Sequence, residues 1–240
     1  MRPTLYGVGV GPGDPDLVTV RAVRVLRDAD VVVVPVADTG EEGRAERIVR
    51  ANVDREVRRL VFALTDGPRR DDAWDAAGEA VARCYAEGGR TVAFATIGDP
   101  NVYSTFTYLA DTVRALVPAV RVETVPGITA MQALAAGSGT VLVEGRESLA
   151  LMPLTAGVGA LRRALDAHDT VVAYKGGRVL PQVLDAVRDA GRLDGAVYGA
   201  ALGLPDEDIR AAADLDPGAA APYLSALLVT PKRTGRGGRL

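Results

Sequence analysis

Three stretches of this chain carry residue types suited to holding a small polar molecule by its backbone. The first, Gly7-Val8-Gly9-Val10-Gly11-Pro12-Gly13-Asp14-Pro15-Asp16, is far richer in glycine than an ordinary connection. A turn without side chains lets backbone groups approach a ligand, and glycine alone tolerates the positive φ angles such bends use. The second is Thr96-Ile97-Gly98-Asp99-Pro100 and the third Val125-Pro126-Gly127-Ile128-Thr129-Ala130, each directly after a β-branched run. At the carboxyl ends of parallel strands they would meet on one edge of one sheet, where open α/β sheets bind ligands. The chemistry expected is that of an enzyme acting on a small molecule.

Each stretch also has a plainer reading. The first lacks the Gly-Lys-Ser/Thr ending of a P-loop, so no lysine reaches a terminal phosphate. It imitates the dinucleotide fingerprint only roughly, because Pro12 and Pro15 remove two backbone donors that a pyrophosphate would use. Asp99 could simply cap a helix beginning near Val102, and Ser104 and Thr105 could be helix-start hydroxyls. Pro126-Gly127 could be only a turn. The conjunction of all three, in this order and spacing, favours a site.

The elements that must position these turns alternate through the first half. Thr4–Val10 reads as a strand, Leu17–Arg27 as a helix with Asp14 and Asp16 near its start, and Asp30–Val34 as a buried strand closed by Pro35. Residues 38–44 read as a loop, Ala45–Asn52 as a helix, and Glu56–Phe62 as a short strand. Asp71–Glu87 is an amphipathic helix ending at Gly88-Gly89. Thr91–Ala95, the helix Val102–Leu116 and the strand Arg121–Val125 follow. This βαβ series predicts a mostly parallel sheet.

After an Ala-rich helix at Ala130–Ala136, Gly137-Ser138-Gly139 reads as an interdomain link. Beyond it come a strand at Leu149–Met152, a helix at Val158–Asp166, a buried strand at Thr170–Tyr174 and a helix at Leu180–Ala190. Strands near Ala196–Ala201 and Tyr223–Val229 complete the second half. The expected organisation is an N-terminal α/β domain over 1–136, a C-terminal α/β domain over 137–231 and a disordered basic tail over 232–240.

Composition narrows the class. With 240 residues and 48% apolar content the chain can bury two sizeable cores. A net charge of −3 gives no general affinity for nucleic acid or membrane surfaces. Cys84 and His168 are the only cysteine and histidine, which makes a disulfide framework impossible and a zinc site improbable. A Ser-His-Asp triad would need His168, and no G-x-S-x-G elbow is present. The expectation is a soluble cytoplasmic protein that binds no metal itself, with Cys84 and His168 structural.

At this point the residues carry a resemblance. Val8-Gly9-Val10-Gly11-Pro12-Gly13-Asp14-Pro15, Gly98-Asp99-Pro100 and Val122-Glu123-Thr124-Val125-Pro126-Gly127-Ile128 resemble the signature loops of the tetrapyrrole (class III) S-adenosylmethionine-dependent methyltransferases. Gly98-Asp99-Pro100-Asn101-Val102-Tyr103-Ser104-Thr105-Phe106-Thr107-Tyr108 is similar to the G-D-P-x-x-Y-S-T-x-x-Y segment of the precorrin-2 / cobalt-factor II C-20 branch. Ala221-Pro222-Tyr223-Leu224-Ser225 resembles the terminal strand of that branch. The match runs along nearly the whole chain up to the basic tail, with residues 146–157 matching poorly. Pro35 stands where the uroporphyrinogen methyltransferases carry an aspartate proposed as a base, which argues against that activity.

The resemblance implies two α/β domains of the tetrapyrrole methylase type, the first with a mostly parallel sheet and the second with a mixed one. The methyl donor would lie in the cleft between them. By position, Pro12 would line the floor, and Gly98, Asp99, Val102 and Ser104 would hold the donor's amino-acid part. Thr129 and Ala130 would also contact it, and Lys175 and Gly199 would close over the adenine side. Ile97, Val102, Ile128 and Leu202 could supply the apolar walls that an adenine needs. The implied cofactor is S-adenosylmethionine, the partner a tetrapyrrole, and the assembly a homodimer.

Methyl transfer from a sulfonium is a direct displacement, so the protein mainly aligns the reacting atoms and excludes water. A group accepting the C-20 proton could help, and Tyr103 and Tyr174 are candidates by position only. The packing reading of both tyrosines is the favoured one, and no catalytic residue is assigned. The substrate's eight carboxylates should attract arginines, which the sequence does not single out. Competing readings are another corrin-ring methyltransferase, diphthine synthase, a non-catalytic S-adenosylmethionine sensor, and a nucleotide-binding oxidoreductase.

Overall fold

Alternation at two-residue spacing divides each central strand of the first half between two cores. The computed structural model describes residues 2–37, 40, 42–62, 70–216, 218 and 221–233. Five strands, β1 (Thr4–Gly9), β2 (Val31–Val36), β3 (Val57–Val61), β4 (Thr91–Thr96) and β5 (Arg121–Val125), form one parallel sheet in the order β3-β2-β4-β1-β5. Val8, Val32, Val34, Ala93 and Ala95 point to one face, covered by α1 (Val20–Asp28) and α2 (Arg44–Asn52) through Ala22, Leu26, Ile48 and Val49. Leu5, Val33, Val92 and Phe94 point to the other, covered by α3 (Arg70–Ala86) and α4 (Phe106–Leu116) through Val81, Phe106, Leu109 and Val113. Each fully buried Leu, Val or Phe contributes about 1.5–3 kcal/mol.

β1 lies between β4 and β5, so the connections leaving three adjacent parallel strands emerge on one edge. This is the arrangement the three turns required.

Several element ends differ from the sequence reading. The Asp14 carboxylate accepts the Asp16 amide and caps a separate 3₁₀ turn over Pro15–Leu17. α1 therefore begins at Val20, where Thr19 Oγ1 accepts the Ala22 amide at 3.1 Å. Strand β2 continues through Pro35 to Val36 instead of ending there. Its pairing with β4 stops at Val33, while β3 carries the register onward. Helix α4 starts at Phe106, not Val102, because Tyr103 takes a left-handed conformation that no helix can continue through.

The second half builds a mixed sheet in the order β6-β7-β10-β8-β9 from β6 (Leu149–Pro153), β7 (Thr170–Tyr174), β8 (Ala196–Ala200), β9 (Asp208–Ala211) and β10 (Ser225–Val229). Only β6 and β7 are parallel. The strand β9 is absent from the sequence reading because Asp-Ile-Arg-Ala is too short and too polar to signal one. Helices α6 (Val158–Ala167) and α7 (Leu180–Asp189) cover one face through Leu161, Leu165, Val183 and Val187.

The other face is covered by α5 (Ala130–Ser138), whose Leu134 is fully buried among Val172, Ala226 and Leu228. The chain accordingly divides into two compact units at Met1–Thr129 and Ala130–Leu240, one helix earlier than the sequence placed the division. The expected link at 137–139 is the end of that helix, which Gly139 terminates at φ +66°.

Part of the expected loop at 38–44, namely residues 38, 39 and 41, lies outside the described residues, as does 234–240 of the expected tail. The first two tail residues, Lys232 and Arg233, are described. Lys232 Nζ lies 2.9 Å from Asp194, and the Arg233 guanidinium pairs with buried Glu147 at 2.5 Å and donates to the Val141 carbonyl at 2.8 Å. Arg233 holds the Glu147 carboxyl below the usual carboxylate range.

Candidate functional site

At the carboxyl edge of the first sheet, three glycines from three loops press their backbones together. A Cβ on Gly9 would lie 2.5 Å from the Gly98 carbonyl oxygen and 2.6 Å from the Gly127 nitrogen. A Cβ on Gly127 would overlap the same Gly98 oxygen and sit 2.8 Å from Gly9 Cα. No side chain fits between these turns. Hydrogen bonds close the knot: the Gly98 amide donates to the Gly11 carbonyl at 2.7 Å, and the Val10 amide to Thr96 at 2.9 Å.

Asp99 sits at the centre of this knot. Its Oδ2 accepts the Gly127 amide at 3.0 Å and its Oδ1 accepts the Asn101 amide at 2.8 Å. The carboxylate thereby joins the second loop to the third, a role the sequence reading missed because residue 127 is distant in the chain. Gly98 differs from its two neighbours: at φ +67° its Cα faces open space, with nothing within 4 Å of a Cβ placed there. A turn whose rim is locked and whose Gly98 face is open fits the polar end of a small ligand.

Pro12 and Thr129 are buried, while Gly98, Asp99, Val102 and Ser104 are half-buried. These six first-unit residues all lie in the loops that follow β1, β4 and β5. Ile97 packs against the core around Val10, and Ile128 is half-buried beside Thr129.

Beyond Asp99 the chain turns through Val102, whose amide donates to the Asp99 carbonyl at 3.2 Å, into Tyr103 at φ +50°. Ser104 Oγ then lies 3.1 Å from Thr96 Oγ1 and accepts the Phe106 amide at 3.2 Å. Partial desolvation raises the Tyr103 phenol from its ordinary value.

In the second unit, Lys175 follows β7 at φ +62°, its amide donating to the Ser225 carbonyl at 3.2 Å. Its Nζ lies 5.8 Å from the centroid of the Tyr223 ring. Ala130 is the first residue of α5, and the next amide, that of Met131, donates to the Tyr174 hydroxyl at 2.8 Å. Tyr174 thus serves as a cap for that helix. Gly199 lies within β8, opposite Ala226 and Ile209, where a Cβ would meet Leu134 at 2.6 Å. Leu202 is buried with Leu134 in the same core. Ala201, at φ +51°, is a further left-handed residue after a strand. Neither Ala201, Lys175 nor Tyr103 signals this conformation by residue type.

Cys84 is buried beside Ala80, and His168 caps α6 through its backbone. Among the described residues no group of three or more His, Cys, Asp or Glu side chains is placed to hold a metal ion. No described helix is long and apolar enough to cross a membrane.

Two α/β units, with side-chain-free turns gathered over parallel strands in the first, define an enzyme of small-molecule chemistry. The family model described as Tetrapyrrole (Corrin/Porphyrin) Methylases matches residues 4–215, and the chain belongs to that family. It is 36% identical over 205 residues to the precorrin-2 C(20)-methyltransferase of Sinorhizobium sp, covering 81% of this chain and 82% of that one. It is 32% identical over 233 residues to the cobalt-precorrin-2 C(20)-methyltransferase of Salmonella typhimurium, covering 95% of this chain and 97% of that one. Among solved structures, the uroporphyrin-III C-methyl transferase of Thermus thermophilus complexed with S-adenyl homocysteine shares the fold. Its TM-score is 0.66 over 94% of this chain and 97% of that one, at 23% identity.

Proposed function

We propose that this chain transfers a methyl group from S-adenosylmethionine to the C-20 meso carbon of precorrin-2, or of its cobalt complex cobalt-factor II, during corrin-ring synthesis. The products would be precorrin-3A or its cobalt counterpart and S-adenosylhomocysteine. The observation that carries this reading is the likeness to two C(20)-methyltransferases along most of their length. The locked glycine turns, with Gly98 opening onto space, agree with it.

S-adenosylmethionine would supply an electrophilic methyl on a sulfonium whose departure leaves a neutral thioether. The chain's own part is alignment and exclusion of water. Pro12, Gly98, Asp99, Val102, Ser104 and Thr129 of the first unit are assigned to the donor, as are Ala130, Lys175 and Gly199 of the second. Backbone polar groups of the turns would hold the zwitterionic end, with Val102 and Ile128 as apolar contacts. The Asp99 carboxylate keeps those turns in register while they do so. The electron-rich meso carbon attacks the methyl without prior deprotonation; the methylated cation loses its C-20 proton afterwards, and no residue is assigned to accept it. The same reading makes the chain a cytoplasmic homodimer that holds no metal of its own.

The test is anaerobic incubation with S-adenosylmethionine and either metal-free precorrin-2 or cobalt-factor II, read by mass spectrometry. One added methyl at C-20 on either compound is the expected result. Methylation at another carbon, or none while the donor binds, overturns it.

A further inference from the structure

A half-buried arginine stands at the carboxyl edge of the first sheet without a counter-charge. Arg44 is the first residue of α2, the helix that follows β2 and leads back to β3. Gly43 before it packs against the end of that strand: a Cβ there would lie 3.3 Å from the Pro35 carbonyl oxygen and 3.3 Å from Val36 Cγ1. β2 neighbours β4, whose following loop carries Gly98 and Asp99, so Arg44 starts from the same sheet edge as the three turns. Among the described residues, no hydrogen bond or ion pair reaches its guanidinium. The described acidic residues closest to it in the chain are engaged elsewhere. Glu46 is held by Arg59 at 2.7 Å and by Arg50 at 2.9 Å, and Glu42 lies 3.7 Å from Arg50.

The other arginines without a partner among the described residues, Arg24, Arg27, Arg47, Arg146 and Arg163, are exposed, as a solvated surface cation normally is. None of them follows the carboxyl end of a strand. Arg24 and Arg27 lie in the middle and last turn of α1, Arg47 lies further along α2, Arg146 precedes β6, and Arg163 is inside α6. Arg44 differs in both respects. Its position is also unfavourable to α2 itself, because a cation in the first turn opposes the helix dipole and Gly43 supplies no side-chain cap. A partly desolvated guanidinium that serves neither a carboxylate of the chain nor its own helix suits an anion from outside.

We propose that Arg44 orients the substrate by pairing with a peripheral carboxylate of the tetrapyrrole that receives the methyl group. This rests on the methyltransferase reading above. Such a macrocycle presents its carboxylates around its rim, and a guanidinium can hold one of them by two parallel hydrogen bonds, which fix direction as well as distance. One such pair at the sheet edge sets the rotation of a ring whose four quarters are alike. It thereby selects the meso carbon that is presented to the donor.

The test is equilibrium binding of cobalt-factor II to the full chain in the presence of S-adenosylhomocysteine, which prevents turnover, followed by the tetrapyrrole's absorbance. Arg44→Ala should weaken tetrapyrrole binding at least about tenfold while S-adenosylhomocysteine affinity, by calorimetry, stays within about twofold. Arg44→Lys should recover part of the loss, because it restores the charge without the planar fork. Arg44→Ala should also melt no lower than wild type, since α2 loses an opposing charge. Arg24→Ala, which removes the same charge from exposed α1, should leave tetrapyrrole affinity within about twofold. Unchanged tetrapyrrole affinity in Arg44→Ala overturns the proposal. An equal loss in Arg24→Ala also overturns it, marking general attraction of a polyanion, and so does an equal loss for both ligands, which marks a structural role. Wild-type protein that binds tetrapyrrole but methylates neither compound defeats the C-20 reading, and a selective loss in Arg44→Ala then still upholds Arg44. Wild-type protein that binds no tetrapyrrole overturns both.

Discussion

The Asp99 carboxylate accepts the backbone amide of Gly127 at 3.0 Å, joining the loop after β4 to the loop after β5. Its other oxygen takes the Asn101 amide, so one side chain sets the shape of two turns. A buried or half-buried amide left without such a partner costs about 1–3 kcal/mol.

Asp99→Asn keeps side-chain volume but leaves a single acceptor oxygen, so either the Gly127 amide or the Asn101 amide loses its partner. The expected outcome is a loss of about 1–3 kcal/mol in unfolding free energy and weaker S-adenosylhomocysteine binding by calorimetry. A variant matching wild type in both would show that the bond positions nothing.

Gly127→Ala adds one methyl where Gly98 and Gly9 leave no room. Because the obstructing atoms are backbone, no rotamer change relieves the clash, and the loops must separate. Overpacking of this kind costs about 1–3 kcal/mol. Donor affinity should fall at least about tenfold, as each tenfold is about 1.4 kcal/mol. Full affinity in a folded Gly127→Ala protein would mean that the turn is not part of the donor site.

Glu46 on α2 has no exposed surface and is held by Arg59 of β3 at 2.7 Å and by Arg50 at 2.9 Å. Hydrogen bonding to Arg59, against the opposing effect of burial, holds its carboxyl below the ordinary value of 4.5. A depressed folded value means the pair stabilises the protein above the ordinary value and ceases to as pH falls through the folded one. Glu46→Gln should lower the thermal midpoint at neutral pH, and the difference from wild type should shrink on acidification below 4.5. A pH-independent difference would rule out the ion pair as its source.

Gly199→Ala places a Cβ 2.6 Å from Leu134 and 3.1 Å from Leu202. Here the obstacles are side-chain ends, so the clash can be relieved by a smaller neighbour. Gly199→Ala alone should destabilise by about 1–3 kcal/mol. Combined with Leu134→Val it should cost less than the two single changes added together. Strict additivity in the four-protein cycle would show that the two positions do not meet.

Much of this was legible in the sequence because it is local. The continuous apolar run Val31–Val34 and the clustering of glycine and proline after β-branched runs depend on near neighbours alone. The order of the three signature loops carried the family, later matched over residues 4–215. Element ends were less legible. Thr19 and Asp14 compete to cap successive turns, and the backbone of Tyr103 delays α4 to Phe106, outcomes that residue type does not announce.

By itself, then, the sequence determined two α/β halves, a parallel sheet in the first, three side-chain-poor turns at its strand ends and the family to which they belong. Only the tertiary structure decided that α5 packs with the second unit, that β9 pairs at all, that Asp99 anchors Gly127, and that Tyr103, Lys175 and Ala201 are left-handed. The physical reason is the range of the interactions. Propensity and turn chemistry act over a few residues. Leu134 among Val172, Ala226 and Leu228, or a carboxylate meeting an amide 28 positions away, exists only once distant strands have paired.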